Sequence, residues 1–544
     1  MPPEFPITSL LPEIRRSLST HPRLVLEAPP GAGKTTQVPL ALLDEPWLAG
    51  RKIVMLEPRR VAARAAAGFM ARQHGDAVGE TVGYRIRFEN KVSARTRIEV
   101  VTEGILTRML QEDPMLEGIG ALLFDEFHER HLAGDLGLAL ALDVQPLRED
   151  LRIVVMSATL EGEKLARFLD APRLSSEGRS YPVTTSHSPG RRDESLESHA
   201  RRAIEAALQQ HPGDVLVFLP GQREIIRVER ALAEVDSLRQ AQVLVLPLHG
   251  ELSVEQQSLA LQPDPQGRRR VVLATNVAES SVTLPGVRVV IDSGQAREPR
   301  YDPNSGFSRL EIINISQASA DQRAGRAGRV AEGWAVRLLP QSQRLEPQRR
   351  PEIAQVELAS LALELAAWGS DDLRFVDPPP SGALSAARDL LQRLGALSTT
   401  SLAITSLGTR MLGLGTHPRL SAMLLSAEDD ENRALACDLA ALVEARDPLH
   451  SGVRDDSVAA RWRALATFRQ GRAGGDAHRA GLAAIDAAAK QWRRRLRVDA
   501  QPPRDIEAHR LGDLLAHAFP DRIAHQHPTD PRRYQLANGR MARV

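Results

Sequence analysis

A single cysteine, Cys437, stands in 544 residues. An intramolecular disulfide framework is therefore excluded, and the usage suits a reducing cytosol. Lysine is scarce too: Lys34, Lys52, Lys91, Lys164 and Lys490 are the full set, and nearly all positive charge is arginine. A GC-rich genome produces that bias without any function, so Lys34 is notable for standing where arginine would be the usual choice. No run of 18 apolar residues occurs, which argues against a helical membrane span. The start, Met1-Pro-Pro-Glu-Phe-Pro6, has neither a basic stretch nor an apolar signal core. The expectation is a cytoplasmic protein with no membrane partner. Net charge is +1, so the global balance says nothing about nucleic acid. No metal-ligand spacing and no nucleophile triad is found.

What is present is ordinary globular composition, 42% hydrophobic and 26% charged, at a length that allows roughly three to five domains. Short apolar, β-branched runs end in polar clusters. Leu24-Val-Leu26 runs into a Gly-rich loop, Ile53-Val-Met-Leu56 into Glu57-Pro-Arg-Arg60, Leu122-Leu-Phe124 into Asp125-Glu126, and Ile153-Val-Val-Met156 into Ser157. Such runs read as buried parallel strands with helices between them, as at 61–72. Ligands of these sheets lie beyond the strand C-termini, where every polar cluster falls. The pattern then repeats, with runs ending at Pro220-Gly221, His249-Gly250, Thr275-Asn276 and Asp292. The polar stretch 186–194, with Pro189 and Gly190, reads as the junction. After Leu339 the chain becomes largely helical. A helix-then-hairpin pattern at 384–407 is compatible with a winged helix, and alanine-rich segments at 434–445 and 480–497 read as a bundle. The expected fold class is α/β: parallel-sheet domains at 1–185 and 186–345, a winged helix at 346–415, a helical bundle at 416–520, and the start of a β domain at 521–544.

Four strings carry chemistry. Ala28-Pro-Pro-Gly-Ala-Gly-Lys-Thr-Thr36 lies between a strand and a helix and is a phosphate cradle, although Ala28 replaces the first glycine of the strict pattern. Gly31 and Gly33 let backbone N–H groups close on phosphate. Lys34 reaches the β- and γ-phosphates and Thr35 offers a hydroxyl to Mg²⁺. Pro30, Gly31, Ala32, Gly33, Lys34, Thr35 and Thr36 are the candidate nucleotide-binding residues. Asp125 is placed to hold Mg²⁺ through water, and Glu126 to orient and deprotonate the attacking water; the plain alternative is a pair of acids capping a helix. His128, Ser157 and Thr159 are candidates to couple this loop to its surroundings. Gln322-Arg-Ala-Gly-Arg-Ala-Gly-Arg329 is expected on a helix whose positions 322, 326 and 329 share one face. Its arginine forks suit a transferring phosphoryl group; a basic solvated face is the bland reading, against which Gly325 and Gly328 argue. Arg59, Arg60, Thr102, Thr275 and Asn276 follow strands on the same side and can grip a nucleic-acid backbone without reading bases. Cys437 reads as a core residue.

Asp125-Glu-Phe-His128, Leu56-Glu-Pro-Arg-Arg-Val-Ala-Ala63 and Val101-Thr-Glu-Gly-Ile-Leu-Thr-Arg108 together resemble superfamily 2 helicases of the DEAH type, in their bacterial ATP-dependent form. Arg87-Phe-Glu-Asn90, Leu219-Pro-Gly-Gln222 and Asn276-Val-Ala-Glu279 complete the series, and the resemblance covers essentially the whole chain. It implies two RecA-like domains, a winged helix, a ratchet-like bundle and an OB-fold, whose first strand would be Tyr534-Gln-Leu-Ala-Asn-Gly-Arg540 in a truncated chain. It implies a monomer that uses ATP, or other NTPs, with Mg²⁺ to move 3′ to 5′ along single-stranded RNA or RNA with a 3′ tail. Lys34, Thr35, Asp125, Glu126, Gln322, Arg326 and Arg329 would run hydrolysis. Arg59, Arg60, Thr102, Gly221, Thr275 and Asn276 would hold RNA, and 297–315, with Asp302-Pro-Asn-Ser-Gly306 as its turn, would form a strand-separating hairpin. Phe127 replaces the family alanine, Pro285 stands where relatives carry an acid near the ribose, and the residues that sandwich the base fall near Phe69 and Leu261. A DNA-acting translocase of the same fold and a nucleotide-switched nucleic-acid-binding regulator remain open alternatives, and the sequence names no protein partner.

Overall fold

The computed structural model describes residues 5–29, 31–86, 89–158, 162–176, 181–250, 252, 254–279, 284–302, 307–370, 372–450, 455, 457–472, 477–503 and 505–543. The chain divides into two compact units. One comprises Met1–Val356 with Leu373–Pro379, the other Glu357–Asp372 with Pro380–Val544.

The first unit holds two large sheets. The eight-stranded one runs Glu89–Lys91, Val82–Ile86, Ile98–Val101, Lys52–Leu56, Ile119–Phe124, Arg152–Ser157, Arg23–Glu27, Arg173–Ser175. All neighbours are parallel except the first pair. Its middle strands are continuous apolar runs, and every residue of Ile119–Phe124 is buried, as a strand covered on both faces requires. The second sheet is parallel throughout: Leu244–Leu248, Arg270–Ala274, Asp214–Phe218, Val287–Asp292, Gly333–Arg337, Val183–His187. This corrects the boundary expected after residue 185. Val183–His187 is an edge strand of the second sheet, paired with Gly333–Arg337. Its Val-Thr-Thr-Ser-His sequence is largely exposed, so it lacks the apolar run that marked the other strands.

Gln295–Asp302 and Phe307–Asn314 form the expected antiparallel hairpin, in register from Gln295↔Asn314 to Asp302↔Phe307. Residues 303–306 of its expected turn lie outside the described residues.

In the second unit, helix Ser381–Arg393, a single bridge Leu397↔Ile404 and helix Ser406–Leu414 give the winged-helix pattern in its barest form. Five helices follow, Pro418–Ser426, Asp430–Glu444, Val458–Arg469, Arg479–Leu496 and Ala508–Ala518. They share a core that includes Leu435, Leu439, Trp462, Ile485 and Trp492. Cys437 lies in this core, and burial pushes its thiol up to about 12. The chain continues into three antiparallel strands, Ala524–His527, Asp530–Leu536 and Met541–Arg543. The expected first strand at 534–540 is thus the end of a second strand and a turn, in which Gly539 takes φ +82°. Asn538-Gly539 is the strongest short hairpin signal available, and the polar flanks hid it.

Candidate nucleotide site and nucleic-acid face

Strand Arg23–Glu27 leads into the glycine loop, and helix Lys34–Leu42 leads out. Gly31 and Gly33 have φ of +88° and +94°, conformations that a side chain would strain. Gly33 starts the helix without a side-chain cap, and the uncapped start of a helix attracts anions. The loop is pinned from behind: Ile7 donates its N–H to the Ala32 carbonyl and Ala28 to the Ser157 carbonyl, each at 3.0 Å. Pro30 lies outside the described residues, as does Thr159.

Strand Ile119–Phe124 delivers Asp125 and Glu126 beneath this loop, and both are buried. Thr35 Oγ1 donates to Asp125 Oδ2. Lys34 Nζ lies 2.8 Å from Glu126 Oε1 and 3.5 Å from Asp125 Oδ1. The Thr35 hydroxyl and the Asp125 carboxylate meet at one point, an all-oxygen set of the kind Mg²⁺ takes. Burial pushes the Glu126 carboxyl up, but Lys34, by its charge and its hydrogen bond, pulls the group back below the usual range. Burial and Glu126 raise Asp125 against the pull of Lys34. Glu126 itself has φ +50°, a conformation rare for a side-chain-bearing residue and frequent at working sites.

The second sheet domain contributes helix Gln317–Gly325, capped by Ser316. Gln322 reaches His128, nitrogen to nitrogen at 3.2 Å, while the Ala158 N–H donates to His128 Nδ1 at 3.3 Å. A backbone N–H can only donate, so Nδ1 accepts, the neutral ring carries its proton on Nε2, and Gln322 turns its oxygen to it. His128 thus touches residues of both sheet domains. The single expected helix face is corrected: the α-helix ends at Gly325 and Arg326–Gly328 tightens into a 3-10 turn. Only glycine fits at 328, because a Cβ there would sit 2.5 Å from the Tyr181 carbonyl oxygen. Arg329 is still delivered to the phosphate loop; a Cβ on Gly31 would lie 3.7 Å from its guanidinium carbon. Arg326 donates to the Glu279 carbonyl at 3.0 Å. Burial and Arg329 push the Arg326 guanidinium down against Glu126 and Glu279, and burial pushes Arg329 down to about 10. Arg323 serves the scaffold instead. It pairs with Glu279 and Asp292 at 2.8 Å each and lies over Phe218.

Arg60, Thr102, Gly221, Thr275 and Asn276 all follow C-terminal strand ends of the two parallel sheets, the edge on which the glycine loop also lies. Arg60 is exposed at the start of helix Arg60–His74. Gly221 is buried, with Arg297 and Glu224 where its Cβ would point. Arg59 turns its fork inward, onto Glu129 at 2.9 and 3.0 Å and the Asn276 carbonyl at 2.6 Å. Glu129 was overlooked in the sequence because the reading of the acidic string stopped at His128, one residue short. Phe69 is exposed and meets Phe5 edge-on at 6.1 Å, whereas Leu261 packs against the core of the second sheet.

Residues 11–168 match the DEAD/DEAH box helicase family, and residues 198–331 the helicase conserved C-terminal domain. The chain belongs to the DEAH-box helicases. It is 46% identical over 462 residues to the ATP-dependent RNA helicase HrpB of Escherichia coli, a match covering 84% of this chain and 56% of that one. It is 36% identical to a probable ATP-dependent RNA helicase, the DHX35 homolog of Caenorhabditis elegans, over 75% of this chain and 58% of that one. The crystal structure of the Escherichia coli DEAH/RHA helicase HrpB superposes with a TM-score of 0.84 at 42% identity, covering 99% of this chain and 66% of that chain. This helicase chain therefore spans a little over half the length of these curated relatives. Its two sheets are the tandem RecA-like domains of the family.

Proposed function

We propose that this chain hydrolyses ATP, and other NTPs, between its RecA-like domains, and uses the cycle to move 3′ to 5′ along single-stranded RNA and unwind structured RNA. The observation that carries the reading is the meeting of Arg329 from the second domain with the glycine loop that presents Lys34. Backbone N–H groups at 31–36 and Lys34 take the β- and γ-phosphates. Mg²⁺, held by Thr35 and through water by Asp125, would neutralise phosphate oxygen charge. Glu126, kept ionised by Lys34, orients water in line and accepts its proton. Arg326 and Arg329 take up charge on the transferring group, and Gln322 and His128 report its state across the cleft. Arg60, Thr102, Gly221, Thr275 and Asn276 line the edge that would grip RNA phosphates. No base-edge reader is identified among the described residues, so nucleotide preference is taken to be loose. We place the protein in the cytoplasm, acting as a monomer. No described helix is long and apolar enough to cross a membrane.

Backbone contacts do not name the sugar, so the test compares both. ATP hydrolysis is measured without nucleic acid, with poly-U RNA and with oligo-dT. RNA is expected to stimulate well above DNA. Equal stimulation would move the reading to a DNA-acting translocase, and binding without turnover in any arm would make the chain a nucleotide-switched regulator.

A further inference from the structure

Between strand Gly333–Arg337 and helix Ala359–Trp368 the chain crosses residues 338–358 with one short 3-10 turn, Glu352–Ala354, as its regular structure. Part of this connector touches three working elements of the first unit. At its start it caps the arginine helix. Gln317 and Ala318, the first two residues of that helix, donate their N–H groups to the Glu346 and Pro347 carbonyls at 2.8 and 3.2 Å. In its middle it holds the hairpin of Gln295–Asp302 and Phe307–Asn314, which the proposed function would use to part strands: Arg349 pairs with Glu298 at 2.9 Å, and Tyr301 donates its N–H to the Gln355 carbonyl at 2.7 Å. Between these contacts Glu352 reaches the acidic loop. Its N–H donates to the Arg130 carbonyl at 3.0 Å, and its Oε2 accepts the Leu132 N–H at 2.7 Å. Leu132 is the first residue of helix Leu132–Val144, and no side chain of its own N-cap, His131, does that work.

The contacts continue inward. His131 stands between two carboxylates, with Nδ1 at 3.4 Å from Glu352 Oε2 and Nε2 at 2.8 Å from Glu129 Oε2. Glu129 receives Arg59, which in turn donates to the Asn276 carbonyl of the second domain. Burial pushes Glu352 up, but His131 and the Leu132 N–H hold it ionised, below the usual range. One short segment thus satisfies helix starts in both RecA-like domains, whose N–H groups would otherwise lack partners, and grips the hairpin between them.

Resting on the function proposed above, we propose that Glu346–Gln355 couples hydrolysis to strand separation, with Glu352 as the positioning residue through which a shift of the acidic loop reaches the hairpin. Glu352 touches neither nucleotide nor reacting atoms. It acts by keeping Arg130, His131 and Leu132 in fixed register with Arg349 and Gln355.

The test uses the full chain. RNA-stimulated ATPase, unwinding of a duplex with a 3′ single-stranded tail, and thermal unfolding are measured on the same preparations of wild type, Glu352→Ala, Glu352→Gln and Arg349→Gln. Glu352→Ala is expected to keep its ATPase within about twofold while duplex opened per ATP falls about tenfold, a coupling loss of the size carried by such contacts. Glu352→Gln keeps an acceptor for the Leu132 N–H and should retain more. Arg349→Gln releases the hairpin from the other side and should uncouple likewise, with its melting point held. ATPase and unwinding falling in proportion, or both unchanged in a folded Arg349→Gln, would overturn the proposal. A wild type without RNA-stimulated ATPase would instead remove the underlying function.

Discussion

In the helical bundle, Asp438 is fully buried and receives Arg469 at 2.7 and 2.8 Å, Arg493 at 3.0 Å and the Trp462 indole N–H at 3.2 Å. Arg469 also meets Asp486 at 2.6 Å. Burial works against the Arg469 charge, and its two aspartates outweigh burial and raise its pKa. Arg326 in the RecA-like unit is buried as well, and its pKa moves the other way. Burial and Arg329 push it down, and Glu126 and Glu279 do not make up the difference. Arg323, three residues earlier, behaves like Arg469, raised by Asp292 and Glu279 against burial. Buried arginine therefore means two different things in one chain. Where carboxylates balance it, the charge fixes a scaffold. Where burial and a like-charged neighbour outweigh them, two guanidinium groups lie together, one of them against a glycine loop, an arrangement suited to receiving an anion.

Substitutions can break that comparison. Arg326→Ala or Arg329→Ala should slow RNA-stimulated turnover by about 10³, with nucleotide affinity spared in a fluorescent-nucleotide titration. The melting point, measured on the same preparations, is the check that each variant is folded. Loss of affinity at an unchanged maximal rate would place these arginines in ground-state binding instead. The smaller effect belongs to the bundle. Asp438→Asn leaves Arg469 and Arg493 with a neutral partner and should cost about 3 kcal/mol in denaturant unfolding, with the ATPase of the folded protein near wild type. An unaltered midpoint would mean that this network is not what holds the bundle.

The same contrast marks what the sequence could disclose. The strands that feed Gly31, Asp125, Ser157 and Thr275 were legible because burial on both faces demands uninterrupted Val, Ile and Leu. Lys34, Thr35, Asp125 and Glu126 were legible because phosphate chemistry needs those types at close spacing. Val183–His187 was not, since an exposed edge strand carries no apolar signature. The Arg59 pairing was not legible, because a chain gives no clue that Glu129, 70 residues away, takes its fork. Arg323, Arg326 and Arg329 look alike in the string, and only Glu279, Asp292 and the Gly328 turn separate scaffold from site. The connector at Glu346–Gln355 has no motif at all. Its contacts are made by backbone groups, one carboxylate and one guanidinium, scattered in a way that sequence patterns do not record.

The central claim is that Glu126 activates water in a site completed by the second domain. Glu126→Gln is nearly isosteric and keeps the Lys34 contact, but it cannot accept a proton. Single-turnover phosphate release, with ATP and a 3′-tailed RNA both bound, tests it most directly. The account predicts a variant that binds both ligands with wild-type affinity and releases essentially no phosphate. Release at near the wild-type rate would contradict it.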